Sequence, residues 1–419
     1  MATDTCISPK NKPKSKGKSK NKKWIRPRHT LVRNLLCYTL GTYTKIKYRI
    51  KIDKFKEQEK RPYLILMNHQ TAFDQFFVGM AFKGPIYYLA SEDIFSNGFV
   101  SSLIRYLVAP IPIKKQTTDL RAIMTCVRVV KEGGTIAIAP EGNRTYSGRT
   151  VYMSPSIASL AKKLGLPIAL YRIEGGYGTH PRWSDKVRRG RMRGYVSRVV
   201  MPEEYAEMSE AQLFDEIREE LYVDEAVSDA CFYHKKSAEY LERAVYVCPK
   251  CGLSSFESHG DVIKCNKCGI SARYLPDKTF EGIGEDFTYR YVADWYDAQS
   301  EYILTLDTSG YIEEPMYRER VSLYEVIPNV KKALISKEVE LSLFADRAEI
   351  CNGDEKTTIA FADAGAFTVL GRNKLNIYHG DKIYQVKGGK RFNALKYVHI
   401  YHLYKNRVKG DGNDKFLGL

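Results

Sequence analysis

Short apolar runs alternate with amphipathic stretches from Ile46 to Pro202. Apolar runs of about four to eight residues between polar breaks are typical of buried strands, and they predict strands over 63–67, 86–90, 109–113, 135–139 and 168–173. Capping signals and apolar periodicity predict helices after Asp74 and over 119–131, 156–164 and 209–222. Strands that alternate with helices predict an α/β domain with a mainly parallel sheet.

The pattern changes beyond about residue 276, where strand-like stretches follow one another between turn signals such as Asn352-Gly353 and Gly388-Gly389. The predicted strands are 287–293, 301–306, 338–344, 347–351, 357–361, 366–370, 374–378 and 382–386, and a final helix is predicted over 393–406. This pattern predicts a small β-barrel or sandwich closed by a helix. Its outline is similar to that of pleckstrin-homology-like modules, which would imply binding to lipid headgroups or to another protein.

His69 lies at the turn between the predicted strand 63–67 and the helix that follows, and Asp74 lies five residues further on. Because a turn separates the two residues, the carboxylate can fold back onto the imidazole. A carboxylate on one ring nitrogen fixes the tautomer and leaves the other nitrogen free to accept a proton, as in a catalytic triad. A substrate hydroxyl could then be the nucleophile. The alternative is a turn histidine beside an acid favoured by the helix N-terminus.

A second polar stretch, residues 140–149, directly follows the predicted strand 135–139. Ligands of open α/β sheets bind beyond the carboxyl ends of the strands, where this stretch and His69 both fall. Gly142 allows the backbone to come close to a ligand, and the planar guanidinium of Arg144 suits a phosphate. Lys114 and Lys115 follow the strand 109–113 at the same edge. For any one of these residues alone, a solvated loop charge is the favoured interpretation.

Taken together, these blocks resemble those of the glycerolipid acyltransferase superfamily, which includes the 1-acylglycerol-3-phosphate acyltransferases. The resemblance covers about residues 30–230. It rests on the H-x4-D pattern of His69 and Asp74, on Ile111-Pro112-Ile113-Lys114-Lys115, on Ala139-Pro140-Glu141-Gly142-Asn143-Arg144, and on Leu166-Pro167-Ile168. The chain departs from the family pattern in having Asn143 for the usual Thr and Lys115 for the usual Arg. The second departure replaces a bidentate fork by a point charge.

The resemblance implies a mechanism and a substrate class. His69, oriented by Asp74, would remove the proton from a glycerol hydroxyl as the hydroxyl attacks the thioester of acyl-CoA or an acyl carrier protein. Glu141, Gly142 and Arg144 would hold the phosphate end of a lysophosphatidate-type acceptor, with Lys115 assisting. The activity expected is acyl transfer in phospholipid synthesis.

Four of the nine cysteines form two C-x2-C-G knuckles, Cys248-Cys251 and Cys265-Cys268. Paired knuckles at this spacing predict a tetrahedral four-cysteine zinc ribbon. Four thiolates leave no open position on the metal, so the zinc is expected to be structural, and no redox cofactor is expected. The scattered cysteines fit a reducing compartment better than a disulfide framework. His259, between the knuckles, is interpreted as a loop histidine.

The net charge is +17 and the pI is near 9.2, which favours an anionic partner. Residues 1–28 contain ten basic residues against Asp4 alone and are predicted to be disordered. The tail could bind an anionic membrane surface, or it could be a solubilising or RNA-binding tail. Residues 31–40 have a helical apolar stripe that fits either an interfacial membrane helix or a core helix. The basic stretch 182–198 could meet lipid or coenzyme A phosphates, or solvent.

Because the chain shows neither a secretory signal nor an apolar run of about 18 residues, we expect a cytoplasmic protein, peripheral on the cytoplasmic face of the membrane. The expected organisation is a tail at 1–28, an acyltransferase domain at 29–243, a zinc ribbon at 244–275 and a β-rich domain at 276–419. A nucleic-acid-binding ribbon protein is disfavoured because it leaves the blocks around His69 and Glu141 unexplained. A non-catalytic lipid-binding scaffold is the other alternative.

Overall fold

The computed structural model describes residues 23–56, 62–113, 119–150, 152–328 and 330–409. Ahead of the first helix, Trp24 donates its indole N–H to the Ala109 carbonyl at 3.1 Å, and the Ile25 N–H donates to Glu132 at 2.9 Å. Residues 23–28 therefore include packed positions, and the predicted tail boundary at 28 is wrong. The rest of that tail, residues 1–22, lies outside the described residues.

The α/β domain is built on a seven-stranded sheet in the order β1-β7-β6-β2-β5-β3-β4. Strands β6, β2, β5, β3 and β4 are mutually parallel, whereas β7 runs antiparallel to β6 and parallel to β1. The mainly parallel sheet is therefore confirmed. The strands are β1 (Ile50–Ile52), β2 (Leu64–Met67), β3 (Ile86–Ser91), β4 (Ile111–Ile113), β5 (Thr135–Ile138), β6 (Ile168–Glu174) and β7 (Met192–Val200).

Three helices of this domain have ends that follow capping signals in the sequence. Asp119 caps one helix by accepting from two backbone N–H groups, Ser209 and Gln212 form a capping box, and Gly165 ends a helix at φ +61°. The helices are α1 (Pro27–Leu36), α2 (Thr42–Tyr48), α3 (Asp74–Ala81), α4 (Phe99–Val108), α5 (Leu120–Lys131), α6 (Ser156–Leu164), α7 (Gly176–Thr179), α8 (Pro202–Ala206) and α9 (Glu210–Leu221). A π-helical turn at Cys37–Gly41 joins α1 to α2, and a 3₁₀ turn lies at Glu92–Phe95.

Strands β2 and β5 are direct neighbours in this sheet, with Leu64 opposite Ile136 and Leu66 opposite Ile138. All of their residues are buried, as expected for a parallel sheet covered on both faces. Because the two strands are parallel and in register, their carboxyl ends meet. The turn after Met67 and the loop after Ile138 therefore lie side by side.

An apolar surface lies on the N-terminal helices. Leu31 and Tyr38 are 72% and 81% exposed, Phe99 on α4 is 80% exposed, and the other exposed apolar residues here are Leu35, Leu40, Tyr43, Ile46, Val100, Leu103 and Tyr106. The helices α1 and α4 are linked by Arg28, whose Nε donates to the Tyr106 carbonyl at 2.9 Å. Among the described residues, no helix has both the length and the apolarity needed to cross a bilayer. We name the ten exposed apolar residues given above, from Leu31 to Tyr106, the apolar face.

The cysteine-rich module contains two small antiparallel sheets. One is the pair β8 (Val247–Cys248) and β9 (Gly252–Leu253); the other joins β10 (Phe256–His259), β11 (Val262–Cys265), β12 (Ser271–Tyr274) and β13 (Phe280–Gly282). The second sheet continues past the boundary predicted at 275. The knuckle glycines Gly252 and Gly269 have φ of +71° and +82°, which explains why glycine follows each second cysteine.

The C-terminal region is a seven-stranded antiparallel sheet in the order β17-β16-β15-β14-β20-β19-β18, packed against a final helix. Its elements are β14 (Tyr317–Ile327), β15 (Lys331–Leu343), β16 (Arg347–Asn352), β17 (Glu355–Ala360), β18 (Ala364–Leu370), β19 (Lys374–His379), β20 (Lys382–Lys387) and α11 (Leu395–Lys409). Short 3₁₀ turns lie at Leu241–Arg243 and Ser309–Tyr311. A β-rich domain is confirmed; the pleckstrin-homology-like assignment stays a prediction.

Two predicted strands of this region, 287–293 and 301–306, are wrong. A single helix, α10 (Val292–Thr305), begins at the end of the first predicted strand and covers most of the second. Its buried positions Trp295, Gln299 and Ile303 recur every four residues, which is a helical stripe. Gln299 Oε1 accepts the Tyr246 N–H at 2.7 Å, and the Trp295 indole donates to the Val247 carbonyl at 2.7 Å. The cysteine-rich module and the β-rich domain therefore share one hydrophobic core.

Candidate active site and metal centre

The turn after β2 is fixed by Asn68. Its side-chain amide donates to the Ile173 carbonyl at 2.9 Å, and its Oδ1 accepts the Ile173 N–H at 2.8 Å. The side chain thus continues the β2–β6 ladder by one step after the backbone has left it. Since Asn68 is fully buried, both bonds are shielded from water. The position of His69 is set by this pairing.

Asp74 is the first residue of α3 and is fully buried. Its Oδ2 lies 2.8 Å from His69 Nδ1 and accepts the Gln70 N–H at 2.8 Å. Its Oδ1 accepts the Thr71 N–H at 2.9 Å and the Thr71 hydroxyl at 2.7 Å. These donors, all from the turn, hold the carboxylate in one orientation. The predicted contact between His69 and Asp74 is therefore present.

The imidazole of His69 is 28% exposed. A carboxylate can only accept a hydrogen bond, so Nδ1 carries the proton that Asp74 accepts. The other nitrogen, Nε2, is then unprotonated in the neutral ring and available to a substrate. This is the base-and-orienter geometry that proton abstraction requires.

Glu141 joins the loop after β5 to the His69 turn, because its Oε1 accepts the His69 N–H at 3.0 Å. Burial raises the pKa of this carboxyl to about 8, opposed by the His69 N–H and reinforced by the nearby Asp74 carboxylate. The Glu141 side chain is thus already hydrogen-bonded within the protein. The sequence interpretation, in which Glu141 touches the acceptor, stays a prediction.

Gly142 has φ +69°, and a Cβ at this position would meet no atom within 4 Å. Glycine is therefore favoured here by the backbone conformation rather than by crowding. The open space beside Gly142 leaves room for a ligand to approach the backbone of this loop.

Arg144 is half-buried, and its Nη1 is shielded from solvent without a hydrogen-bond partner among the described residues. Burial, followed by the nearby Arg182 guanidinium, lowers the pKa of Arg144 to about 10, so the group remains charged at neutral pH. A buried cationic N–H without a partner favours binding of an anion. Lys115, predicted to assist at this edge, belongs to the segment 114–118, outside the described residues.

The basic stretch 182–198 is only partly an exposed surface: Arg189, Arg191, Arg193 and Arg198 are exposed, as both sequence interpretations require, but its first part is not. Arg182, Trp183 and Arg188 are buried. Arg182 donates to the Arg144 carbonyl at 2.9 Å and lies over the Tyr146 ring at 4.3 Å. These two contacts hold the 140–149 loop in place. Arg188 lies over the Trp183 ring at 4.9 Å.

Three residues that the sequence did not indicate also lie near the site: Tyr48, His180 and Arg372. They form a chain of side-chain hydrogen bonds, from the Tyr48 hydroxyl to His180 Nδ1 at 2.6 Å and from His180 Nε2 to Arg372 Nη2 at 2.9 Å. Tyr48 and His180 are 132 residues apart and His180 and Arg372 are 192 apart, so no local pattern marks them.

Residues 48–172 match the family model named Acyltransferase. The matched range includes both the H-x4-D turn and the Pro-Glu-Gly-Asn-Arg loop. This part of the chain is therefore similar to the Acyltransferase family. The resemblance to acyltransferases inferred from the motifs is thereby confirmed.

Among solved structures, the chain is similar to the 1-acyl-sn-glycerophosphate (LPA) acyltransferase PlsC from Thermotoga maritima. The sequence identity is 21%, the TM-score is 0.38, and the match covers 46% of this chain and 80% of that chain. No curated protein matches this sequence. The assignment of the acyltransferase domain therefore depends on the family model and the motifs.

Beyond the acyltransferase domain, the four predicted metal ligands Cys248, Cys251, Cys265 and Cys268 come together, with all Sγ atoms within 4.8 Å of one another. Two of the Sγ–Sγ distances are 3.6 and 3.7 Å. A tetrahedral ion with Zn–S bonds of about 2.3 Å requires Sγ–Sγ distances of about 3.8 Å. The four residues therefore fit one tetrahedral metal ion. His259 is an exposed strand residue paired with Glu257.

Proposed function

We propose that this protein transfers a fatty acyl group from acyl-CoA or an acyl carrier protein to the hydroxyl of a lysophosphatidate-type acceptor. The observation that carries the proposal is the His69–Asp74 pair at 2.8 Å within a domain that matches the acyltransferase family. The loop containing Gly142 and Arg144 lies next to this pair, because Glu141 accepts the His69 N–H.

In the proposed reaction, His69 Nε2 removes the proton from the acceptor hydroxyl while the hydroxyl oxygen attacks the thioester carbonyl. Asp74 holds Nδ1–H and stabilises the imidazolium that forms. When the tetrahedral intermediate collapses, the carbon–sulfur bond breaks and the imidazolium returns the proton to the thiolate. The products are the acylated lipid and the free thiol.

Arg144 is proposed to bind the phosphate of the acceptor. Its unpartnered Nη1 and the open space beside Gly142 support this role. Lys115 stays a candidate for the same phosphate on the strength of the motif alone. A second cation near Arg144, Arg182, strengthens the local positive potential.

Because the proposed acceptor is a lipid, we propose that the apolar face, on α1, the π-helical turn, α2 and α4, attaches the protein peripherally to an anionic membrane surface. Exposed apolar side chains clustered on adjoining helices are typical of interaction surfaces. Basic residues that border this face, Arg28, Lys45 and Lys47, suit anionic headgroups. The four-cysteine centre is proposed to hold a structural zinc.

The test is an acyl-transfer assay of purified protein with acyl-CoA and acyl carrier protein donors against a panel of lysophosphatidate, glycerol 3-phosphate and other lysolipids. We expect activity on a phosphate-bearing acceptor. Asp74→Asn should lower kcat by about 10²-fold or more, because the amide can impose the wrong His69 tautomer. A wild-type protein that is inactive on every acceptor would favour a non-catalytic lipid-binding scaffold instead.

A further inference from the structure

A turn of the β-rich domain reaches the catalytic side of the acyltransferase domain. Arg372 lies in the turn between β18 and β19, next to Gly371 at φ +63°. Its Nη1 pairs with Asp185 at 3.0 Å, and Asp185 also pairs with the buried Arg243 at 2.7 Å. The turn itself is held by Asn373, whose amide donates to the Gly388 carbonyl at 2.8 Å. Asp185 therefore holds the Arg372 guanidinium, and Asn373 holds the turn that carries it.

The second contact of Arg372 determines the tautomer of His180. Burial, together with the guanidinium of Arg372, lowers the pKa of His180 to about 3, so the ring is neutral at physiological pH. A guanidinium has only donors, so His180 Nε2 must accept from Arg372 Nη2 at 2.9 Å. The single ring proton is then on Nδ1, which lies 2.6 Å from the Tyr48 hydroxyl. Nδ1 donates to the tyrosine oxygen.

This tautomer leaves the Tyr48 hydroxyl proton unused. Within the part of the chain that the structure describes, the hydroxyl has no hydrogen-bond partner other than His180. Both the Asp74 carboxylate and the Arg144 guanidinium act on the pKa of this hydroxyl, after the larger effect of burial. The Tyr48 ring also contacts Phe73, the residue before Asp74, at 5.8 Å between centroids. The hydroxyl therefore lies beside the candidate active site.

Other buried polar atoms nearby also have no hydrogen-bond partner among the described residues: the Gln70 amide, Thr179 Oγ1 and Arg144 Nη1. Gln70 and Thr179 are at most 3% exposed. They adjoin His69 and His180 in sequence, and α7 packs on Gln70 so closely that a Cβ on Gly176 would lie 2.4 Å from Gln70 Cβ. Unsatisfied buried donors indicate a position for a polar ligand.

We infer that Arg372 of the β-rich domain is a positioning residue for the acceptor: it holds His180 in the Nδ1–H tautomer, which leaves the Tyr48 hydroxyl to donate to the acceptor's anionic group beside Arg144. Without Arg372, His180 can take the other tautomer and accept the Tyr48 proton itself. The donor is then lost to the ligand. This inference rests on the proposed function for the identity of the ligand, but the tautomer does not depend on it.

The first readout is the tautomer. In protein labelled with 15N-histidine, the chemical shifts of the two ring nitrogens distinguish the protonated from the unprotonated one, and His180→Gln identifies the signals of His180. Wild type should be protonated on Nδ1, and Arg372→Met should move protonation toward Nε2. A wild-type His180 protonated on Nε2, or signals unchanged by Arg372→Met, would overturn the inference.

The second readout is kinetic. Arg372→Met and Tyr48→Phe should each raise the KM of the anionic acceptor roughly tenfold, because each removes one hydrogen bond to a charged group. The KM of the acyl donor should stay unchanged, and the double variant should be no worse than either single one. Arg391→Met is the matched control, since Arg391 links the β-rich domain to Glu239 and Glu242 instead of His180.

Equal effects of Arg372→Met on donor and acceptor KM, additivity with Tyr48→Phe, or the same loss in Arg391→Met would each contradict the inference. If wild-type protein transfers no acyl group at all, the proposed function fails, and the tautomer of His180 then decides this inference alone.

Discussion

The charge of the Glu141 carboxyl bears on its role. A protonated Glu141 suits a structural role, and an ionised one suits binding of a ligand. It is buried, it receives one hydrogen bond from His69, and Asp74 lies close enough to raise its pKa further. Because the Asp74 carboxylate is nearby, full ionisation of Glu141 would place two negative charges close together, which is unfavourable. The residue therefore suits the task of joining two loops better than that of carrying charge.

Glu141→Gln tests whether Glu141 is protonated in the folded protein, through the pH dependence of the unfolding free energy. The pKa of Glu141 is raised to about 8 from an ordinary 4.5, so between these values the folded protein holds a proton that the unfolded chain has released. The contribution of Glu141 to stability is thus fully present at low pH and is lost as pH rises through about 8. Relative to Glu141→Gln, wild type should lose more than about 1 kcal/mol of unfolding free energy between pH 5 and 8, measured by urea denaturation. Parallel pH curves would contradict this.

At the same scale, the sequence predicted the residues that are close along the chain. His69 and Asp74 occupy one turn, and Glu141 and Arg144 occupy one loop at a neighbouring strand end, so local pattern was sufficient. Tyr48 and His180 are 132 residues apart and meet only through the packing of the domain. No single-sequence signal identifies such a pair.

The apolar face is a property of whole helices. The sequence left open whether residues 31–40 pack into the core or face a membrane, and the structure leaves Leu31, Leu35 and Tyr38 exposed. Leu31 and Leu35 are four residues apart and therefore lie on one side of α1. A core helix would bury that side.

Leu35→Asp and Phe99→Asp should each weaken binding to anionic vesicles roughly tenfold, because burial of such a side chain is worth about 1.5–3 kcal/mol. Co-sedimentation with vesicles containing phosphatidate measures the effect. The matched control is Ile312→Asp, at an exposed apolar residue of the β-rich domain. Equal loss in the control, or no loss in the two variants, would exclude the apolar face as the attachment surface.

Elements with an uninterrupted apolar period were predicted well, and elements with charge on the buried side were missed. The buried strands β2 and β5 were predicted to within one residue at each end. Strand β14 was missed because it contains Glu319, whose carboxylate faces inward to Lys396 at 3.0 Å and to the Tyr397 hydroxyl at 2.7 Å. An inward-facing charge on a strand, here a partly buried glutamate, breaks the alternation that identifies a strand.

At the scale of the whole molecule, the cysteine-rich module is continuous with the β-rich domain. Trp295 of α10 packs against Phe256 of the module and donates to the Val247 backbone. Loss of the metal ion proposed at the four cysteines should therefore disturb a core much larger than the knuckles themselves.

Cys265→Ser should abolish stoichiometric zinc binding, measured as metal content, and lower the unfolding midpoint by roughly 10 °C or more. Tryptophan fluorescence should report the change, because Trp295 lies in the shared core. Cys231→Ser is the matched control, since Cys231 is an exposed cysteine outside the cluster. A Cys265→Ser protein with wild-type metal content and stability would refute the zinc assignment.

The central claim is that His69 is the general base of an acyl transfer. The most direct measurement is the kcat of wild type and His69→Ala for acyl transfer from acyl-CoA to a lysophosphatidate acceptor, with equal unfolding midpoints verified for both proteins. Loss of the base should lower kcat by about 10²- to 10⁴-fold. If His69→Ala retains wild-type kcat, the claim is contradicted.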